Sequence, residues 1–144
     1  MVIREATLND IPQIQMVRNS VLENRLSNPA LVSDQDCADY ILSRGKGWVC
    51  EFDRRLLGFS IADLVEDNLW ALFVLPGYEE RGIGKKLLAQ SLDWYFSKGK
   101  DRIWLSTAPG TRAEKFYRVQ GWKEFGRKEN GEILFERLRM SGPD

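Results

Sequence analysis

The segment Leu69 to Leu88 constrains this chain more than any other. An apolar run from Leu69 to Leu75 is closed by Pro76-Gly77 and followed by Arg81-Gly82-Ile83-Gly84-Lys85-Lys86-Leu87-Leu88. That order predicts a strand, a tight turn and a helix that opens on glycines. Apolar at nearly every position, the run predicts a central strand buried on both faces. Glycine lacks a Cβ, so a ligand can approach the backbone closely, and the first N–H groups of a helix have no internal acceptor. Such a helix mouth suits an anion, phosphate above all. Arg81, Lys85 and Lys86 lie at the positive end of the helix dipole, where each is unfavourable by roughly 0.3–1 kcal/mol without a compensating anion. A bound polyphosphate removes that conflict; a solvated basic face is the plainer alternative.

Two common phosphate motifs are excluded. A Walker A loop has the right gap from Gly77 to Gly82, but Ile83 stands where lysine is required. A dinucleotide fingerprint needs a third glycine at position 87, which is leucine.

Bulk properties narrow the chemistry further. The 144 residues suit one domain with a substantial core. Its 21 basic and 21 acidic residues cancel, so no global charge favours nucleic acid or an anionic membrane. No stretch approaches the ~18 apolar residues of a membrane span. Cys37 and Cys50 show neither metal-ligand spacing nor a secreted disulfide framework, and a reduced cytoplasmic setting is expected. The chain has no histidine. Ser-His and Cys-His nucleophile pairs and the common zinc sites are therefore excluded, and no metal is expected. Proton transfer falls to Glu, Asp, Tyr, Cys, water or the substrate.

Along the chain, Val2 to Glu5 reads as a first strand, and Thr7 with Asp10 resembles a capping box. Leu8, Ile11, Ile14, Val17 and Val21 recur at helical spacing. Ser33 caps a second helix, which Gly45 and Gly47 end. Trp48 to Phe52 and Leu56 to Leu64 flank the turn Asp53-Arg54-Arg55 as an antiparallel hairpin. The glycine-led helix places Ile83, Leu87, Leu88, Leu92 and Phe96 on one face, and Gly99 ends it. Arg102 to Ser106 reads as a strand parallel to the one before that helix, joined by a right-handed crossover. A short helix from Thr111 to Gln120 and a hairpin about Asn130-Gly131 complete the domain, residues 1–140. Residues 141–144 read as a loose tail.

Two motifs in this order carry a resemblance. Gly82 and Gly84 match the small residues of a strand-[RQ]-x-x-G-x-[GA]-helix motif. Ala113-Glu114-Lys115-Phe116-Tyr117-Arg118-Val119-Gln120-Gly121-Trp122 matches A-x-x-F-Y-x-x-x-G-[FW]. Together with the element order β-α-α-β-β-β-α-β-α-β-β, they make the whole chain resemble the GNAT superfamily of acyl-CoA-dependent N-acyltransferases. The departure is Glu79, where that family has Arg or Gln; a carboxylate there is expected to point away or pair with a nearby cation.

The resemblance implies a mixed α/β sheet whose parallel central strands splay, with acetyl-CoA as co-substrate. Phe73 and Val74 would lie along the pantetheine arm, with the Val74 N–H as oxyanion donor. Arg81, Gly82, Ile83, Gly84, Lys85 and Lys86 would hold the diphosphate, with Ala113 and Phe116 beside the cofactor. Tyr117 would protonate the leaving thiolate; its alternative is a plain core aromatic. Glu66, Asp67 and Glu23 are candidates for the base. Glu23, within the stretch from Leu22 to Pro29, and Trp70 would face the acceptor.

The expected activity is acetyl transfer from acetyl-CoA to a primary amine of a small molecule, peptide or protein, within a ternary complex. A non-catalytic CoA-binding sensor of the same fold is the alternative. Either a monomer or a homodimer is compatible with the pattern.

Overall fold

The computed structural model describes residues 1–21 and 32–140 of the chain. Its strands are β1 (Val2–Glu5), β2 (Gly45–Phe52), β3 (Arg55–Asp63), β4 (Asn68–Val74), β5 (Arg102–Thr107), β6 (Lys123–Arg127) and β7 (Ile133–Leu138). Its helices are α1 (Ile11–Ser20), α2 (Asp34–Asp39), α3 (Ile83–Ser97) and α4 (Arg112–Val119). A 3-10 turn at Leu8–Asp10 leads into α1, and a π-helical turn at Tyr40–Arg44 prolongs α2. The element order agrees with the expected β-α-α-β-β-β-α-β-α-β-β. The expected loose tail, 141–144, lies outside the described residues.

Local chemistry accounts for the helix starts. The Asp10 carboxylate accepts from the Thr7 N–H at 2.8 Å, and Ser33 and Asp36 close a reciprocal capping box at 3.0 Å in each direction. Thr111 caps α4 by accepting from the Glu114 N–H. Gly45 and Gly47 belong to β2 rather than ending a helix. A Cβ at Gly45 would lie 1.8 Å from the Ala62 carbonyl oxygen of β3, so close strand pairing is what requires glycine there.

The seven strands form one mixed sheet in the order β1-β2-β3-β4-β5-β7-β6. Among the described residues its one parallel pair, β4 with β5, is in register at a single point, Asn68 opposite Trp104. There the Trp104 N–H donates to the Asp67 carbonyl and its indole N–H to the Glu66 carbonyl. Beyond that root the two strands part, which is the expected splay.

Side-chain alternation assigns the faces. Ser60 of β3 hydrogen-bonds Ser91 of α3 at 2.7 Å, while its neighbour Phe59 lies under Arg18 of α1. The two helices therefore cover opposite faces of the sheet. On α3 the buried stripe is Ile83, Leu87, Leu88, Ser91, Leu92 and Tyr95. Tyr95, rather than the expected Phe96, fills the centre, and its hydroxyl donates to the Arg102 carbonyl at 2.6 Å. The expectation that the central strand is buried on both faces is corrected. Leu69 and Ala71 are buried, but Trp70, Leu72, Phe73 and Val74 are only half-buried. Those half-buried positions run to the end of β4 that parts from β5.

Candidate functional site

The ladder between β3 and β4 fixes where the free backbone groups of β4 point. The Leu75 N–H donates to the Leu57 carbonyl at 2.8 Å. Antiparallel pairing alternates, so Phe73, opposite Phe59, also turns its N–H toward β3. Leu72 and Val74 turn theirs the other way, into the gap where β5 has separated. A register shift between Ile61 and Ala62 leaves Trp70 as the extra residue of a bulge in β4.

The gap is the throat of a cleft of about 600 Å³. Leu72, Phe73 and Val74 line it from β4, and Gly82, Ile83, Gly84 and Lys85 from the start of α3. Arg112, Ala113, Phe116 and Tyr117 come from α4, and Ser20 and Val21 from the end of α1. Because α1 and α3 cover opposite faces, the cleft passes through the sheet. It gives each face access to the end of β4.

At the start of α3, Gly82 is the N-cap at φ 80°, and no side chain among the described residues caps the helix. Positive φ suits glycine, and a Cβ there would meet nothing within 4 Å, so the approach to the backbone is open. Gly84 faces Phe116 and Val74; a Cβ would sit 3.6 Å from the Phe116 ring, which leaves room for a methyl group and little more. The Glu79 carboxylate accepts from the Gly77 N–H at 2.9 Å. Hydrogen bonds from its own backbone N–H and from that of Gly77 hold its carboxyl below the usual range. It closes the turn locally instead of pairing with a cation. Glu80 stands 3.7 Å from Arg112.

Tyr117 is 6% exposed and packs edge-on against Phe116 and Trp122. It is a core aromatic and a cleft residue at once. Its hydroxyl has no hydrogen-bond partner among the described residues, and burial pushes the phenol well above its ordinary pKa.

The structure thus brings Phe73, Val74, Gly82, Ile83, Gly84, Lys85, Ala113, Phe116 and Tyr117 to one cleft. Other expected residues lie elsewhere. Arg81 is exposed, its guanidinium 4.9 Å from the Tyr78 ring, and Lys86 is exposed on the next turn. Glu66 is exposed before β4, at the end opposite Val74, roughly 25 Å along the strand at ~3.3 Å per residue. Asp67 pairs with Lys100 at 2.7 Å. Trp70 lines no part of the cleft; it stacks on Tyr40 at 3.7 Å. Glu23 lies outside the described residues.

Sequence reading passed over Ser20, Val21 and Arg112 in the lining, and Arg18 beside it. Only Arg18 left a signal: it falls four residues after Ile14, inside the apolar stripe of α1, where a cation is out of place.

Known proteins are similar at every level. An uncharacterized N-acetyltransferase ycf52-like protein of Prochlorococcus marinus is 32% identical over 71 residues, 47% of this chain and 38% of that protein. A [ribosomal protein bS18]-alanine N-acetyltransferase of Haemophilus influenzae is 29% identical over 80 residues, 54% of this chain and 55% of that protein. The matches thus span about two-fifths to just over half of those relatives' lengths.

In three dimensions, the PaiA N-acetyltransferase of Thermoplasma acidophilum, solved with coenzyme A, superposes with a TM-score of 0.80 at 17% identity, covering 96% of this chain and 98% of that one. A ribosomal-protein-alanine N-acetyltransferase of Brucella melitensis gives 0.79 at 20% identity, covering 96% and 100%. These two show a shared fold. The model of the acetyltransferase (GNAT) family matches residues 10–122, from the start of α1 through α4 and the splayed strands, and this chain belongs to that family.

Proposed function

We propose that this protein transfers an acetyl group from acetyl-CoA to a primary amine by direct attack in a ternary complex. One observation carries the reading: the unpaired end of β4, the uncapped start of α3 and the buried Tyr117 phenol all border the same cleft through the sheet. The N–H groups of residues 82–85 receive the diphosphate of the cofactor, with Lys85 adding charge. The outer cations Arg81 and Lys86 contribute at longer range. The pantetheine arm lies along Phe73 and Val74, beside Ala113 and Phe116, in the place a continued β5 would occupy.

The Val74 N–H, pointing into the gap, donates to the thioester oxygen as it gains negative charge. The neutral amine attacks the carbonyl carbon from the α1 face, the carbon–sulfur bond breaks, and the Tyr117 hydroxyl gives its proton to the departing sulfur. Burial that raises the phenol also raises the proton affinity of the thiolate beside it, so the transfer is not penalised. The new amide loses its extra proton to water in the open cleft, and water returns a proton to the Tyr117 phenolate. Glu66 is too far away to serve at the reacting atoms. The thiols of Cys37 and Cys50, both buried and unpaired, support a reducing, cytoplasmic setting.

Thiol release from acetyl-CoA across a panel of amines, run beside a thermal shift with acetyl-CoA, tests the proposal. Ligand-induced stabilisation with turnover is the expected result. Stabilisation with no turnover on any amine would favour a non-catalytic CoA-binding domain, and no stabilisation at saturating ligand would overturn both readings.

A further inference from the structure

Arg18 is 6% exposed, and its Nε and Nη2 are buried with no hydrogen-bond partner among the described residues. A guanidinium does not shed its proton at any working pH, so a whole positive charge is held in the interior. Burial lowers its pKa from the ordinary arginine value, and no carboxylate among the described residues offsets this. Unsatisfied buried donors of this kind are rare and require an explanation.

The surroundings are built, not accidental. The guanidinium lies 4.7 Å from the Trp70 ring, 5.1 Å from Phe73 and 5.8 Å from Phe59. Trp70 in turn stacks on Tyr40, and Tyr40 on Arg44. The three rings stand around the Arg18 guanidinium, and none of them carries an acceptor for its Nε–H and Nη2–H. Arg44, at the other end of the same column, shows what such a pair of donors is for. Its Nε and Nη2 hold Asp63 bidentately at 3.2 and 3.0 Å. Arg18 holds the same pair of atoms buried and without a hydrogen-bond partner among the described residues.

Position points to the ligand. Phe73 both supports Arg18 and lines the cleft, and Ser20 and Val21, the next residues of the α1 end, line it as well. Arg18 is therefore on the face from which an acceptor reaches the thioester. We propose that the Nε–Nη2 edge of Arg18 receives a carboxylate of the acceptor. Its substrates are then small amines that also carry a carboxylate, free amino acids being the simplest. A planar, two-oxygen anion fits the fork. This inference rests on the acetyl-transfer reading.

The test is acetylation of a panel of free L-amino acids, each set against its carboxamide and its decarboxylated amine. In the native protein kcat/KM should favour the carboxylate by about a hundredfold or more. Arg18→Met should erase that preference, chiefly through KM. Arg18→Lys, which keeps the charge but not the fork, should restore only part of it. Melting curves with and without acetyl-CoA accompany each variant, so a folded protein that still binds cofactor but no longer prefers carboxylates supports the role. Equal use of amino acids, amides and amines by the native protein, acetylation of peptide amines alone, or an intact preference in Arg18→Met would overturn it. Absence of acetyl-CoA binding by the native protein would instead remove the acetyl-transfer reading beneath it.

Discussion

Tyr117 carries two burdens that pull in different directions. Its ring fills space against Trp122 and Phe135, while its hydroxyl has no hydrogen-bond partner among the described residues. A Tyr117→Phe variant keeps the packing and removes only the acid. Turnover should fall by about 10²–10⁴-fold while acetyl-CoA affinity changes less than about twofold, read by single-turnover kinetics and calorimetry. Because burial raises the phenol, the protonated, active form persists to higher pH. Any alkaline loss of kcat attributable to Tyr117 should fall above the free phenol value of about 10. Asp10 titrates with the opposite sign. Hydrogen bonds from the Arg4 guanidinium, at 2.9 Å to each carboxylate oxygen, hold its carboxyl below the ordinary range. That stability is present above the unfolded carboxyl value and is lost as pH falls through the lowered one. Asp10→Asn should lower the melting temperature at pH 7, and the gap to the native protein should narrow on acidification.

Among the elements, the start of α3 separates backbone strain from occupancy. Gly82 holds positive φ in open space, so Gly82→Ala should cost about 1–2 kcal/mol by backbone strain alone, with no clash to add to it. Gly84 is already helical. Gly84→Ala should be neutral or stabilising by up to about 1 kcal/mol, whereas Gly84→Leu should fold and yet lose cofactor binding. The new side chain would project toward Phe116 and Val74. Chemical denaturation and acetyl-CoA titration of the three variants check these outcomes. In β4 the alternation of N–H direction makes a sharper forecast. Amides of Leu72 and Val74, turned into the gap, should exchange hydrogen faster than those of Ala71 and Phe73, and acetyl-CoA should slow them selectively. Uniform protection along β4 would contradict the splay.

At the scale of the whole molecule, the parted strands are a defect that a ligand repairs. The sheet gives up pairing between β4 and β5 beyond the Asn68–Trp104 root, and nothing in the described residues fills the space. Acetyl-CoA at a hundred times its dissociation constant should add about 2.7 kcal/mol of stability. For a chain of this length that corresponds to a rise in melting temperature of about 5–10 °C.

Much of this molecule is written in short-range patterns. The helical spacing of Ile11, Ile14 and Val17, the capping pairs at Thr7 and Ser33, and the glycines at 82 and 84 specify their elements because caps, periodicity and positive φ act within a few residues. The two motifs around Gly82 and Tyr117, read through the family resemblance they carry, therefore pointed to residues that line one wall of the cleft. Tertiary structure decided the rest. Which side chains of β4 meet the cleft depends on where β5 departs, and that is set by contacts far apart in sequence. Glu66 and Trp70 are close to the site in the chain but end up away from it, because a strand carries its ends apart and a bulge re-aims a ring. Arg18, silent except for its misplaced charge, acquires meaning only when α1 lays it between aromatic rings from two different strands.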